Sequence, residues 1–123
     1  MDYRLELVQV PVSDVERAKS FYVDRAGFTL DVDIEVAGGV RFVQLTPRGS
    51  PASIAIGTGI TTMRPGSLEG LQLVVTDVAA ARADLAGRGV AVSDVEVYDW
   101  GSFVYFTDPD GNGWAVQQLP AED

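Results

Sequence analysis

The residues best placed to do chemistry in this chain are four glutamines, Gln9, Gln44, Gln72 and Gln117, and four aromatic residues, Phe42, Trp100, Phe103 and Tyr105. The sequence holds no cysteine and no histidine. Thiolate nucleophiles, disulfides, sulfur-bound metals and imidazole bases are therefore excluded. Acid–base work would fall to carboxylates, tyrosines, lysine or arginine. A tyrosine base needs its pKa brought far down from about 10, and the sequence places no cation beside Tyr105. A neutral amide donates and accepts hydrogen bonds without carrying charge. Amides among aromatic rings suit a polar, uncharged or zwitterionic organic ligand held by stacking.

These side chains sit on runs of β-forming residues. Leu5 to Val12 alternates and reads as a strand. Asp14, or less favourably Ser13, caps a helix that carries Val15, Ala18, Phe21, Tyr22 and Ala26 at helical spacing and stops at Gly27. Asp31 to Val36 alternates acidic and apolar residues, as a strand with one wet face near a sheet edge does. Gly38-Gly39 signals a hairpin turn into the strand Val40 to Thr46. Ala52 to Ile56 is a short fourth strand. The order then returns: strand Leu68 to Val75, helix Val78 to Arg88 capped by Asp77, and strands Val90 to Val97, Gly101 to Thr107 and Trp114 to Leu119. Asp108 to Gly113 is a tight turn whose proline and glycines supply the required dihedrals, which explains Asp108 and Asp110 better than a calcium loop does.

The return is a duplication. Val12-Ser13-Asp14-Val15 recurs 63 residues later as Val75-Thr76-Asp77-Val78, and Leu5, Glu6 and Gln9 recur at the same spacing as Leu68, Glu69 and Gln72. Phe42-Val43-Gln44-Leu45-Thr46 recurs 61 residues later as Phe103-Val104-Tyr105-Phe106-Thr107. At 123 residues the chain builds one core. The repeats are thus half-domain modules, about 1–57 and 68–119, joined by a linker at 58–67. The glycine-rich stretch from Gly57 to Gly66 lacks the spacing and lysine of a phosphate-binding loop and reads as a connector.

A net charge of −9 leaves no basic patch for nucleic acid and no polybasic membrane signal. Met1-Asp2-Tyr3-Arg4 does not open a signal peptide, and no apolar stretch is long enough to span a bilayer. The expectation is a cytoplasmic protein whose partner is a small molecule, not nucleic acid or membrane.

Three pieces of sequence, in order over almost the whole chain, carry a family resemblance: Val12-Ser13-Asp14-Val15-Glu16-Arg17-Ala18 leading to Phe21-Tyr22, the helix exit Gly27-Phe28, and Asp108-Pro109-Asp110-Gly111-Asn112-Gly113-Trp114. Together they resemble the vicinal oxygen chelate superfamily of glyoxalase I, extradiol dioxygenases and bleomycin-resistance-type binding proteins. The resemblance implies an α+β fold of two tandem βαβββ modules forming an open barrel or cleft, with helices outside and the site on the concave face. In metal-dependent members, four strand positions supply His, Gln or Glu ligands. Carried over, they fall on Leu7, Gly70, Ala115 and Ala55, or on Ser53 in place of Ala55 if the alignment shifts. Leucine, glycine and alanine cannot hold a hard or borderline cation. The sequence thus departs from the superfamily where its metal chemistry sits, and the expectation is no metal, no cofactor and no glyoxalase or dioxygenase activity.

Strand alternation assigns the faces. Val8, Val10, Leu71, Leu73, Trp114 and Val116 point toward the helices, as do Val43, Leu45, Val104 and Phe106. The opposite face carries the expected ligand-binding set: Gln9, Phe42, Gln44, Gln72, Phe103, Tyr105 and Gln117, with Trp100 at its rim. The competing reading is that the glutamines satisfy one another, or hold water in a filled barrel. Trp100 could stack on a planar ligand, cover the core or lie in a dimer contact. The expected function is binding of a small organic molecule by a homodimer, as in antibiotic or metabolite sequestration. The alternative is a lyase, isomerase or dioxygenase with metal at non-standard residues such as Glu35, Asp99 or a glutamine, or metal-free acid–base catalysis by Tyr105 with a carboxylate.

Overall fold

A computed structural model describes residues 1–121 and resolves the chain into two four-stranded mixed sheets and two helices, with no closed barrel. The first sheet holds β1 (Leu7–Gln9), β2 (Thr29–Val36), β3 (Val40–Thr46) and β4 (Ser53–Thr58) in the order β1-β4-β3-β2. The second holds β5 (Leu71–Val75), β6 (Glu96–Tyr98), β7 (Gly101–Thr107) and β8 (Gly113–Gln118) in the order β5-β8-β7-β6. In each sheet the first and last strands of the module pair in parallel and the remaining pairs are antiparallel. The α+β fold of two βαβββ modules read from the sequence is therefore present, and the modules share one topology.

Helix α1 (Val15–Ser20) starts where Asp14 accepts a hydrogen bond from the Arg17 amide, and α2 (Val78–Gly87) starts in the same way on Asp77 and Ala80. Gln118 of β8 adds a second cap by accepting from the Val78 amide at 2.9 Å. Helix α1 continues as a π-helical turn, Phe21–Arg25, closed by Ala26 donating to the Phe21 carbonyl.

Three strands are shorter than the sequence pattern predicts: β1, β5, which begins at Leu71 and not at Leu68, and β6. The first ends at Gln9 because Val10 donates to Ala55 and Pro11 has no amide to continue the ladder. In the run from Val90 to Val97 only the final residues pair as β6. Upstream, Ser93 occupies the Tyr105 backbone with its own amide and its hydroxyl, which substitutes a side-chain contact for the ladder. Strand β2 lies at the sheet edge as expected.

The helix-facing residues of both sheets merge with the helices into one core containing Val43, Leu45, Ile54, Val104, Phe106 and Trp114. Its centre joins the two modules. Tyr22 packs edge-on to Trp114 at 5.9 Å, and Phe28 meets the same indole at 5.5 Å. The Tyr22 hydroxyl donates to Asp108 at 2.7 Å and accepts from the Trp114 Nε1 at 3.0 Å. Burial, reinforced by the Asp108 carboxylate, pushes the Tyr22 phenol far above its ordinary pKa. No helix among the described residues is long and apolar enough to cross a membrane.

Removing the Tyr22 hydroxyl strands the Trp114 donor and takes one of the two hydrogen bonds accepted by Asp108 Oδ2. Tyr22→Phe is expected to lower the unfolding free energy by about 1–3 kcal/mol. Urea denaturation should show this as a lower midpoint with an unchanged slope. A midpoint equal to the parent would show that the bond contributes nothing.

Candidate functional site

Strand register builds the face opposite the helices row by row. In the first sheet Gln9 lies beside Ala55, which lies beside Gln44. In the second, Gln72 lies beside Ala115, which lies beside Tyr105. The rows are equivalent, with Gln44 of one module standing where Tyr105 stands in the other. This register makes Ala55, not Ser53, the counterpart of Ala115. Phe42 and Phe103 occupy the next equivalent position along β3 and β7.

The first sheet carries a chain of hydrogen bonds on this face. Gln44 Nε2 donates to Ser53 Oγ at 3.2 Å, the Ser53 and Thr46 hydroxyls are 2.7 Å apart, and Thr46 donates to Asp31. Asp31 reaches Thr46 because the pairing shifts between Leu30 and Val32. Such a bulge re-aims a side chain. Simple alternation would put Asp31 with Asp33, yet Asp33 turns to Lys19 at 2.7 Å and Arg41 at 2.8 Å. Arg41, and then Lys19, hold its carboxyl well below the usual carboxylate range. The acidic pattern of β2 carried no signal of this split, and Asp31 is a functional candidate that sequence reasoning missed.

The second sheet carries an aromatic ladder. Trp100 stacks on Tyr98 with ring centres 4.9 Å apart, Tyr98 meets Phe103 edge-on at 5.9 Å, and Phe103 stacks parallel to Tyr105 at 6.1 Å. Phe103 is buried, while Trp100 is 62 % exposed and Tyr105 is 38 % exposed. The ladder therefore has a hidden rung and open ends, which is the geometry of a stacking surface. Tyr98 was also missed. Its signal lay in the spacing of Glu96 and Tyr98 on β6, which puts both on the Phe103 face.

A strap of amides fixes this ladder. Gln72 Nε2 donates to Gln117 Oε1 at 2.6 Å, and Gln117 Nε2 donates to the Trp100 carbonyl at 3.0 Å. Gly101 has φ of +144°, and a Cβ there would lie 2.7 Å from the Gln118 carbonyl. Only glycine lets the hairpin close this tightly over Gln117. The competing expectation, that glutamines satisfy one another, thus describes Gln72 and Gln117. Glu96 accepts from the Tyr98 hydroxyl at 2.8 Å, and that bond raises the Tyr98 pKa.

The eight residues singled out from the sequence divide between the sheets. Gln9, Phe42 and Gln44 lie on the first, and Gln72, Trp100, Phe103, Tyr105 and Gln117 on or above the second. A cleft of about 490 Å³ lies against the second sheet, lined by Glu69, Gly70, Tyr105, Thr107, Gly113 and Ala115 among others. Gly70 has φ of +85°. This backbone disfavours any residue with a side chain, so position 70 does not fit a metal ligand. Leu7, Ala55 and Ala115 bring no donor atoms. Glu35 stands opposite Arg41, a neighbour of the helix side, and Asp99 lies in the β6–β7 turn. Among the described residues no three His, Cys, Asp or Glu side chains gather to hold a metal.

Because Glu96 stabilises the protonated phenol, Tyr98 should titrate above the ordinary tyrosine range and move down toward it in Glu96→Gln. Carbon-13 NMR of the tyrosine Cζ resonances resolves this. An unchanged Tyr98 titration would show that the bond does not form in solution.

Comparison with known proteins places this geometry. The family model described as Glyoxalase/Bleomycin resistance protein/Dioxygenase superfamily matches residues 4–116. TnmS3, an antibiotic binding protein from Streptomyces sp. CB03234, is 42% identical in sequence, with a TM-score of 0.88 over 97% of this chain and 98% of that one. A glyoxalase/bleomycin resistance protein from Streptomyces sp. CB03234 is 43% identical, with a TM-score of 0.82 over 94% of this chain and 100% of its own. The uncharacterized protein YetH of Bacillus subtilis (strain 168) is 25% identical over 115 residues, 90% of this chain and 94% of YetH.

Proposed function

The chain belongs to the glyoxalase/bleomycin resistance protein/dioxygenase superfamily, and from that premise we propose that it binds a small organic molecule without transforming it and without a metal. The observation that carries this reading is the replacement of the superfamily's ligand positions by Leu7, Ala55, Gly70 and Ala115 beside an exposed aromatic ladder. Stacking on Trp100 and Tyr105 supplies affinity. The free ends of Gln9 and Gln44, with Ser53 and Thr46, supply orientation. An antibiotic or secondary metabolite is the proposed ligand, supported by the likeness to an antibiotic binding protein, and sequestration in the cytoplasm is the proposed role.

The working unit is proposed to be a homodimer. Leu5, Val74 and Leu119 are each more than half exposed in the single chain, an arrangement that a second copy would relieve. An enzymatic role has less support. Tyr105 has no cation on its sheet to activate it as a base, since β5, β6, β7 and β8 contain no lysine or arginine. Glu35 lies on the helix side.

Calorimetric titration with a panel of antibiotics tests the reading. Saturable binding should survive excess EDTA, the ligand should be recovered unchanged by mass spectrometry, and Tyr105→Ala should weaken binding roughly tenfold or more through the lost ring. Turnover of the ligand, or binding abolished by the chelator, would overturn it. Sedimentation should give twice the mass of one chain, and a monomer at binding concentrations would remove the dimer from the proposal.

A further inference from the structure

Charge is distributed unevenly over this molecule. The cations of the helix side are engaged: Arg17 with Asp110, Lys19 and Arg41 with Asp33, Arg82 with Asp94, and Arg88 with Asp84. Arg25 donates to the Gly89 carbonyl. Arg88 is the last basic residue in the sequence, and everything from Gly89 onward carries only carboxylates. Strands β6 and β7 and the turn between them, which make the aromatic ladder, fall in that stretch, as does β8.

Three of the carboxylates there are already committed. Asp94 pairs with Arg82, Asp110 with Arg17, and Asp108 is buried beneath Tyr22 and Asn112. Two remain at the exposed end of the ladder. Glu96 stands on the ladder's own face, in register with Phe103, and accepts only the Tyr98 hydroxyl. Asp99 is next to Trp100 in the turn. Neither forms an ion pair among the described residues. Glu69 lines the cleft at the other end of the same sheet. The first sheet adds Asp31 on its corresponding face and no cation, since Arg41, the one basic residue in its strands, turns to Asp33 and Glu16.

Exposed indole and phenol rings attract a cation through their faces, and uncompensated carboxylates add to the same attraction. An anionic ligand would meet repulsion there, since strands β5, β6, β7 and β8 carry no guanidinium or ammonium. Resting on the binding function proposed above, we infer that the site selects planar aromatic ligands that carry a positive charge, with Trp100 and Tyr105 holding the rings and Glu96 and Asp99 holding the amine, amidine or guanidine. This is a statement about specificity within a stacking site, and it fails separately from the stacking itself.

Three fused-ring probes of matched size test it: proflavine, cationic at neutral pH; acridone, neutral; and anthracene-2-sulfonate, anionic. Each is titrated into the full chain at low salt and followed by fluorescence. Proflavine is expected to bind about tenfold more tightly than acridone, the combined scale of one cation–π contact and two exposed charge pairs, and the sulfonate most weakly. The double variant Glu96→Gln with Asp99→Asn keeps the Tyr98 acceptor and should erase the preference, bringing proflavine affinity down to that of acridone. Raised salt should shrink the preference in the parent. Trp100→Ala should weaken all three probes. Equal or tighter binding of acridone or the sulfonate, or a preference that survives the double variant, overturns the charge assignment and leaves the stacking site standing. No binding of any probe, or binding indifferent to Trp100→Ala, overturns both.

Discussion

Asp108 is the constraint on which the rest of the molecule depends. It is 4% exposed and has no cationic partner among the described residues. Its two oxygens accept four hydrogen bonds instead, from Tyr22 Oη, Asn112 Nδ2 and the amides of Asp110 and Asn112. A buried carboxylate is tolerable only when its lone pairs are filled in this way. Asn112, itself fully buried, extends the knot by donating to the Pro11 carbonyl at 2.8 Å and accepting from the Leu68 amide at 3.1 Å. The end of the first strand, the start of the second module and helix α1 are therefore held by one turn. Asp110 of that turn accepts from Ser13, just ahead of α1. The relative placement of the modules is thus fixed by buried polar groups that satisfy one another, and the aromatic core of Tyr22, Phe28 and Trp114 packs around them.

With that frame fixed, the two amide faces have diverged without disturbing the core. The helix-side residues of the repeats are near copies, Val43 and Leu45 matching Val104 and Phe106, and all four are buried. The opposite face is where the modules differ. Gln44, hydrogen-bonded to Ser53, faces a polar chain that ends on Asp31, whereas Tyr105 in the same row joins a stack of rings. One module has become a hydrogen-bonding wall and the other an aromatic wall. A ligand in contact with both would be oriented by the first and held by the second.

The sequence made the topology legible because the signals were local and repeated. The two Asp N-caps, the Gly27 stop and the period-two alternation of β3 and β7 each follow from short-range sterics and hydrogen bonding, and duplication let each signal check the other. The site was legible as a face but not as a set of contacts. Gln72 and Gln117 were assignable to one face by alternation, while their mutual bond and the strap to Trp100 depend on the cross-strand register of β5 and β8 and on the tight hairpin at Gly101. Asp31 was unreadable for a different reason: a single-residue bulge reverses the face that alternation assigns. The acidic turn was read as turn chemistry, which is half its role. Its long-range half, Asp108 to Tyr22 and Asn112 to Pro11, spans most of the chain and leaves no periodic trace.

The small residues at the superfamily's ligand positions do more than withhold donor atoms. Gly70 and Ala115 line the cleft against the second sheet, and the larger side chains that coordinate a metal would project into that space. At residue 70 the backbone makes the exchange harder still. With φ of +85°, a glutamate or histidine there would have to move the strand entry between Glu69 and Leu71 before it could point inward. That entry is held from both sides, by the Leu68 amide on Asn112 and by the Gly113 amide on the Leu68 carbonyl at 2.9 Å. The turn that locks the modules together therefore also holds the chain where a metal ligand does not fit. Restoring coordination would take more than replacing four residues, because the frame centred on Asp108 sets the conformation in which those residues are presented.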